Sequence, residues 1–343
     1  MKKFYCLFLV TLIALTGCSG GSDDSEILEK DEPQKEEVGN KGDKEDEPQD
    51  DKKDDKDDES QEGSLLKNNK IYYVTMHNTK LTPNSIDPSV FGANLMSNTY
   101  EDGQGVLTYN SSVLWIGEKA FIHCNNLSSV ILPDKVSYIG QWAFSGCSLL
   151  TNITIPDAVT SIENFAFSGC NNLDSISTLE GVTSIGNYAF EECYKLTNIT
   201  LGEGITSLGT GVFKHCKGLT NIPYSYGVTK ISDYVYFGCS GLTRITIPDA
   251  VTSIGEYAFA ESMGLTSVTI NSGVNEIGYA AFFSCPNLAE VYCKATVPPS
   301  GQSNMFLVCS DELKIYVPTA SIDAYKAAKG WDSYSDRIIG YDF

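Results

Sequence analysis

A cysteine that returns every 23 residues constrains this chain more than any other feature. Cys124, Cys147, Cys170, Cys193, Cys216, Cys239 and Cys285 stand on one ladder, and Ser262 fills its missing rung. Three residues before each rung stand Phe121, Phe144, Phe167, Phe190, Phe213, Tyr236, Phe259 and Phe282, and three after it stand Leu127, Leu150, Leu173, Leu196, Leu219, Leu242, Leu265 and Leu288. Six after it come Val130, Ile153, Ile176, Ile199, Ile222, Ile245, Val268 and Val291. Two more columns run Val136, Val159, Val182, Ile205, Val228, Val251, Val274, Val297 and Ile139, Ile162, Ile185, Leu208, Ile231, Ile254, Ile277. Neither a helix nor a coiled coil has this period. It suits a solenoid, in which each residue stacks on its counterpart one coil away.

Within a unit, Leu150 to Pro156 alternates apolar and polar residues and reads as a strand that Pro156 stops. Val159 to Ile162 is a second extended piece, and Ala166 to Cys170 a tight turn or single helical turn leading back. Both ends of a stacked core need caps. Val106 to Tyr109 and Val113 to Gly117 read as the second half of a repeat without its first half, preceded by a hairpin-like stretch from Lys70 to Thr75 and Thr82 to Ser97. After the last rung, Phe306, Cys309, Ile315, Val317 and Pro318 return in register 24 residues on, as a degenerate ninth unit. Ser321 is placed to N-cap a short helix with Ile322 and Tyr325 inward, ending at Gly330.

The unit from Leu242 to Phe259, Leu-Thr-Arg-Ile-Thr-Ile-Pro-Asp-Ala-Val-Thr-Ser-Ile-Gly-Glu-Tyr-Ala-Phe, resembles the BspA-type leucine-rich repeat of bacterial surface antigens in Bacteroidetes and spirochaetes. The likeness runs from Val106 to Pro318, and the stretches Phe91 to Gly105 and Tyr316 to Trp331 are similar to the flanks of such proteins in gut Bacteroides. It implies a leucine-rich-repeat solenoid: stacked 23-residue coils with a parallel β-sheet face, a β-hairpin-like N-terminal cap and a strand-helix C-terminal cap. It also implies surface exposure and protein-binding or adhesive roles, with no shared catalytic residue. The units around Ser177 to Gly181, where Leu179 replaces the strand-ending Pro, and around Tyr224 to Tyr236 depart from the pattern.

The expected organisation is a signal peptide (1–18), an acidic tether (19–63), an N-terminal cap (64–112), the repeats (113–298) and a degenerate repeat with the C-terminal cap (299–343). Lys2 and Lys3 precede the apolar run Phe4 to Leu15, which is too short to span a bilayer. Leu15-Thr16-Gly17-Cys18 resembles a bacterial lipobox, which makes Cys18 the lipidation site, and Ser22-Asp23-Asp24 is similar to the export signal of Bacteroidetes surface lipoproteins. The expected location is therefore the outer membrane, as a surface-exposed lipoprotein held by a lipid anchor alone. From Asp23 to Glu62 there are 20 acidic and 7 basic residues and almost nothing to bury, a composition for a solvated spacer. No EF-hand loop stands in it. The whole chain carries −20, and without a basic stripe it offers no nucleic-acid surface.

Single cysteines 23 apart give neither paired metal ligands nor facing disulfide partners, so the column reads as free, packed thiols. His77, His123 and His215 lie in different units without a paired nucleophile. Together with the lack of a phosphate loop or ligand cluster, this points to no enzyme, no cofactor and no metal site. The candidate binding face is the outward strand columns, represented by Asn152, Thr154, Asn198, Thr200, Asn221, Arg244, Thr246, Glu290 and Tyr292. The same columns include Ile131, Ser267 and Pro223, and the face is polar, flat and poor in the aromatic and Arg anchors that concentrate binding energy. A candidate aromatic patch is Tyr224, Tyr226, Tyr234 and Tyr236, while Trp142, Phe165, Tyr188, Tyr234 and Tyr257 form a column on the opposite edge that covers the coil beneath it. The expected function is a monomeric, non-catalytic module binding a host or bacterial surface protein. Glycan capture and ligand-free antigenic display are the alternatives.

Overall fold

The computed structural model describes residues 68–81, 88–177 and 179–343. The signal peptide, Cys18 and the acidic tether lie outside the described residues, as does the start of the turn-rich stretch at Thr82.

The chain opens with β1 (Lys70–Thr75), β2 (Leu95–Glu101) and β3 (Gln104–Tyr109). Each following coil contributes up to two strands, one per arm: β4 (Leu127–Ile131), β5 (Tyr138–Ile139), β6 (Asn152–Thr154), β7 (Ser161–Ile162), β8 (Ser175–Ile176) and β9 (Ser184–Ile185). After an interruption come β10 (Lys230–Ile231), β11 (Arg244–Thr246), β12 (Ser253–Ile254), β13 (Ser267–Ile270), β14 (Glu276–Ile277), β15 (Glu290–Cys293), β16 (Lys314–Pro318) and β17 (Ile338–Tyr341). Consecutive coils pair in parallel with equivalent residues opposite one another, as in Val130 to Ile153 to Ile176 on one arm and Ile139 to Ile162 to Ile185 on the other. The result is a solenoid of about nine stacked coils.

The register makes each column a continuous wall of like side chains. The Phe column stacks from Phe121 to Phe306 with centroid separations of 5.0 Å at the first step and 5.4 Å at the last. The Leu column is fully buried. On the rungs from Cys147 onward, each thiol donates to the carbonyl of the aromatic residue on the preceding coil: Cys147 to Phe121 at 3.0 Å, Cys170 to Phe144 at 3.2 Å, Cys193 to Phe167 at 3.3 Å. Ser262 makes the same bond to Tyr236 at 3.1 Å. The rung therefore demands a small buried donor, which explains why serine substitutes for cysteine and why the thiols are free.

The return arc is a run of turns bonded alternately within the coil and to the next, rather than a helical turn, as in Phe144 N–H to Ala166 and Cys147 N–H to Phe144. It requires two left-handed residues per coil, such as Trp142 and Gly146, Phe165 and Gly169, Tyr188 and Glu192. That backbone costs a non-glycine residue roughly 1–2 kcal/mol. Trp142, Phe165, Tyr188, Tyr234 and Tyr257 hold the first position in five coils, with Lys119, Gly211 and Ala280 in others, and the aromatic rings stack outside the coil: Trp142 on Phe165 at 5.8 Å, Phe165 on Tyr188 at 5.1 Å and Tyr234 on Tyr257 at 5.0 Å. Ring stacking contributes about 0.5–1.5 kcal/mol per pair, enough to offset much of that strain.

The strands lapse in the coils through Asn198 and Asn221, where the long arm keeps isolated bridges between Ser175 and Asn198 and between Leu179 and Leu201. Pro223 occupies a strand position and has no N–H to give to a ladder. It turns inward and is buried, while Tyr224 is pushed out.

Four sequence expectations need correction. Val106–Tyr109 does not form half of a coil: it is β3, paired with β2 in a hairpin and antiparallel to β1, which in turn lies antiparallel to β4. The hairpin is thus formed by β2 and β3 rather than by the stretch after β1, and Asp102-Gly103, with φ of 49° and 82°, supplies the two left-handed residues of its loop. Val113 to Gly117 does behave as half a coil, since Ile116 bridges Ile139 in parallel. Val297 is not in the buried column but 76 % exposed. The ninth unit carries one extra residue, so Glu276 bridges Ser300, 24 residues on, and Pro299 is buried near where Val297 was expected. Ser321 does not cap α1 (Ile322–Ala327); its hydroxyl donates to the Thr296 carbonyl at 2.8 Å, and the helix ends short of Gly330. Finally, β17 continues the main sheet beyond β16. Tyr325 is inward as expected, its hydroxyl bonded to the Ala295 carbonyl at 2.7 Å.

Candidate binding surfaces

Alternation along each strand sends every second side chain away from the core. Asn152 and Thr154 on β6, Arg244 and Thr246 on β11, and Asn198, Thr200 and Asn221 in the irregular coils are all exposed, whereas Glu290 and Tyr292 on β15 are half-buried. Register aligns Arg244, Ser267, Glu290 and Lys314 in one row and Thr246, Thr269, Tyr292, Tyr316 and Ile339 in the next. Two members depart from the face: Pro223 and Ser267 are buried. Beside it, Thr151 and Thr266 are committed to the preceding coil, bonding the carbonyls of Ser128 and Thr243. Thr154, Thr200 and Thr246 make no such bond among the described residues and leave their hydroxyls to solvent.

The face is less poor in anchors than its sequence suggests. At its C-terminal end Tyr292 and Tyr316 stack at 4.7 Å, and Tyr341 stands edge-on to both at 5.7 and 5.6 Å. Phe343 adds a ring 5.0 Å from Tyr341. Tyr341 and Phe343 are about half exposed. Tyr316 was findable, because it follows Tyr292 by the 24-residue spacing of the ninth unit; Tyr341 was not, because nothing in the repeat pattern announces β17.

The four tyrosines grouped as an aromatic patch do not meet. Tyr224 and Tyr226 form an exposed edge-to-face pair at 5.8 Å. Tyr236 is buried in the Phe column with its hydroxyl on the Pro223 carbonyl at 2.6 Å, and Tyr234 belongs to the return-arc ladder. That ladder already carries cations: Lys119 lies 4.7 Å above Trp142, and Lys214 lies 5.6 Å above Tyr188 while pairing with Glu191 at 2.9 Å. The column thus covers its coil, as expected.

A third surface was not anticipated. The short arms β10, β12 and β14 and the cap residues Lys329 to Ser333 enclose an open trough of about 740 Å³. Ile254 and Ile277 are buried beneath it, and Lys230, Glu256, Glu276, Tyr279 and Gln302 are exposed around it.

Burial, reinforced by the neighbouring thiols, pushes Cys147, Cys170, Cys193 and Cys216 well above the usual 9.0, and burial pushes Cys293 and Cys309 to about 11. A thiol held protonated is a poor nucleophile. Burial, followed by the charge of Lys214, lowers His215. Among the described residues no group of three or more His, Cys, Asp and Glu side chains is arranged to hold a metal ion, and no helix is long and apolar enough to cross a membrane.

The BspA-type leucine-rich repeat region model matches residues 106–220 and 206–326 in six copies. The chain belongs to the BspA-type leucine-rich repeat family. Among solved structures it is similar to the Treponema pallidum leucine-rich repeat protein, at 24 % identity and TM-score 0.43 over 47 % of this chain and 78 % of that one. A leucine-rich repeat protein from Bacteroides ovatus shares 24 % identity, with TM-score 0.39 over 79 % of this chain and 80 % of that one. The pneumococcal vaccine antigen PcpA shares 19 %, with TM-score 0.44 over 63 % and 68 %. No curated protein matches the sequence.

In this BspA-type repeat protein the residues that define the family are the buried columns. The Tyr cluster and the trough both lie where the regular repeat meets the C-terminal cap. Repetition alone gives a flat face; relief comes where it stops.

Proposed function

We propose that this protein is a non-catalytic binding module displayed at the bacterial cell surface, gripping a host or bacterial surface protein through its outward strand face. The observation that carries the reading is the cluster of half-buried Tyr292 and Tyr316 with exposed Tyr341 at the end of that face. Tyr is enriched among the residues that dominate protein interfaces, combining large apolar area with a hydroxyl. Here the rings stand on a rigid parallel sheet, so little order is lost on binding. Unbonded hydroxyls at Thr154, Thr200 and Thr246, with Asn152, Asn198, Asn221, Arg244 and Glu290 beside them, supply the polar surround. Membership of a repeat family of surface-associated interaction modules supports the same reading. The lipobox at Cys18 and the spacer after it suit a lipid-anchored outer-membrane protein that holds this face clear of the membrane.

The test is a biosensor panel of purified extracellular-matrix and bacterial surface proteins. Tyr292→Ala with Tyr341→Ala should weaken a protein hit at least about tenfold, about 1.4 kcal/mol, while Trp142→Ala leaves it unchanged. Silence across the panel, or a hit indifferent to both tyrosines, would overturn the reading.

A further inference from the structure

The trough beside the C-terminal cap has the chemistry of a saccharide site. Its two long sides are columns of the repeat: Lys230, Ser253, Glu276 and Ser300 on one, Asp233, Glu256, Tyr279 and Ser303 on the other. Equivalent groups recur once per coil, at about 4.8 Å for paired strands, so the trough is a linear track along the stack. Its floor is fixed by close backbone contact. A Cβ on Gly278 would lie 2.6 Å from the Gly255 carbonyl carbon, so no side chain can rise there. One end is shaped by the cap, which is pinned where Trp331 Nε1 donates to the Pro299 carbonyl at 2.7 Å and where Gly330 packs against Gly301.

What lines the track is a set of unused hydrogen-bonding groups. The side chains of Lys230, Glu256, Glu276, Gln302 and Lys329 form no hydrogen bond or ion pair among the described residues. Donors and acceptors thus converge on one concave surface without satisfying one another. Tyr279 is the exposed aromatic ring on the rim, held edge-on to Tyr257 at 5.4 Å. There is no deep apolar pocket for a peptide anchor, because Ile254 and Ile277 are covered. A ligand dense in hydroxyls, with one apolar ring face to lay on Tyr279, fits this lining. The charge narrows it further: Asp233, Glu256, Glu276 and Asp332 outnumber Lys230 and Lys329, which disfavours uronic or sulfated sugars.

We propose that this trough binds a neutral oligosaccharide chain, lying along the solenoid axis with a ring face on Tyr279 and its hydroxyls on Glu256, Glu276 and Gln302. The site is separate from the strand face, so the two readings stand or fall independently.

Calorimetric titration of the purified full chain with cellohexaose, maltohexaose and hexa-N-acetylchitohexaose tests it, with hexagalacturonate and hexalysine as charged comparisons. Saturable binding of at least one neutral hexasaccharide is expected, weakened about tenfold by Tyr279→Ala and by Glu276→Gln. Unchanged melting temperatures of both variants show that folding is intact. Tyr292→Ala should leave sugar binding untouched. Absence of neutral binding up to millimolar ligand, binding indifferent to both trough variants, or binding of hexagalacturonate or hexalysine alone would overturn the proposal.

Discussion

A thiol on every coil does two jobs: it fills a closed position in the stack and donates to the carbonyl of the preceding Phe. Ser262 keeps the second job at a small loss in the first. Cys193→Ser should therefore change stability by less than about 1 kcal/mol, whereas Cys193→Val, which removes the donor and adds a methyl group to a full column, should cost about 1–3 kcal/mol. Chemical denaturation at neutral pH reads both; equal losses would show that volume alone governs the rung. The thiols also set an alkaline limit. Their folded pKa values are raised, so the unfolded chain releases protons first. The stability they confer is complete below the usual thiol value of 9.0 and declines as pH rises through the folded values, about 11 for Cys293 and Cys309 and well above 9.0 for Cys193. Each thiol contributes a slope of about 1.4 kcal/mol per pH unit in that window. Urea midpoints from pH 8 upward should fall steeply once past 9, and a flat profile would contradict the buried, protonated column.

At the scale of the strand, phase decides which surface a residue serves. Leu196 lies in the buried Leu column and Thr200, four residues on, is exposed. Leu196→Ala should cost about 2–5 kcal/mol through lost transfer energy and the cavity left behind, and Thr200→Ala less than about 0.5 kcal/mol. Comparable losses in denaturant melts would mean the strand phase is inverted and the binding face misplaced. Val297 shows how local such phase is. It keeps the 23-residue spacing from Val274, yet one inserted residue before Ser300 swings it to solvent. The element that holds Tyr341 has no repeat signature at all, since β17 exists because β16 leaves an unpaired edge.

For the whole molecule, the regular coils supply rigidity and the C-terminal cap supplies relief. The strand face ends in the Tyr cluster and the short-arm face ends in the trough, both next to the segment from Ser300 to Phe343. In the proposed reading, display at the cell surface rests on the lipobox at Cys18. Cys18→Ala should release soluble protein from the membrane fraction, and protease added to intact cells should remove the wild-type domain; an Ala variant that stays with the membrane would rule out the anchor.

The regular part of the repeat was legible in the sequence. Its Leu, Phe and Cys columns, its two extended arms and the half-coil at Val113 to Gly117 follow from periodicity, because a residue stacked on its own copy must be chemically like it. Asp102-Gly103 between β2 and β3 is a hairpin signal in the chain itself. What only the tertiary structure decided lies where self-similarity ends. The pairing of β1 against β4, the exposure of Val297, the burial of Pro223 and Tyr236, the gathering of Tyr292, Tyr316 and Tyr341, and the trough between the short arms and the cap all join segments of different kind. No spacing rule links such segments, because the energy that joins them comes from covering the open ends of a stack. Which side chains do the covering depends on shape in three dimensions rather than on period.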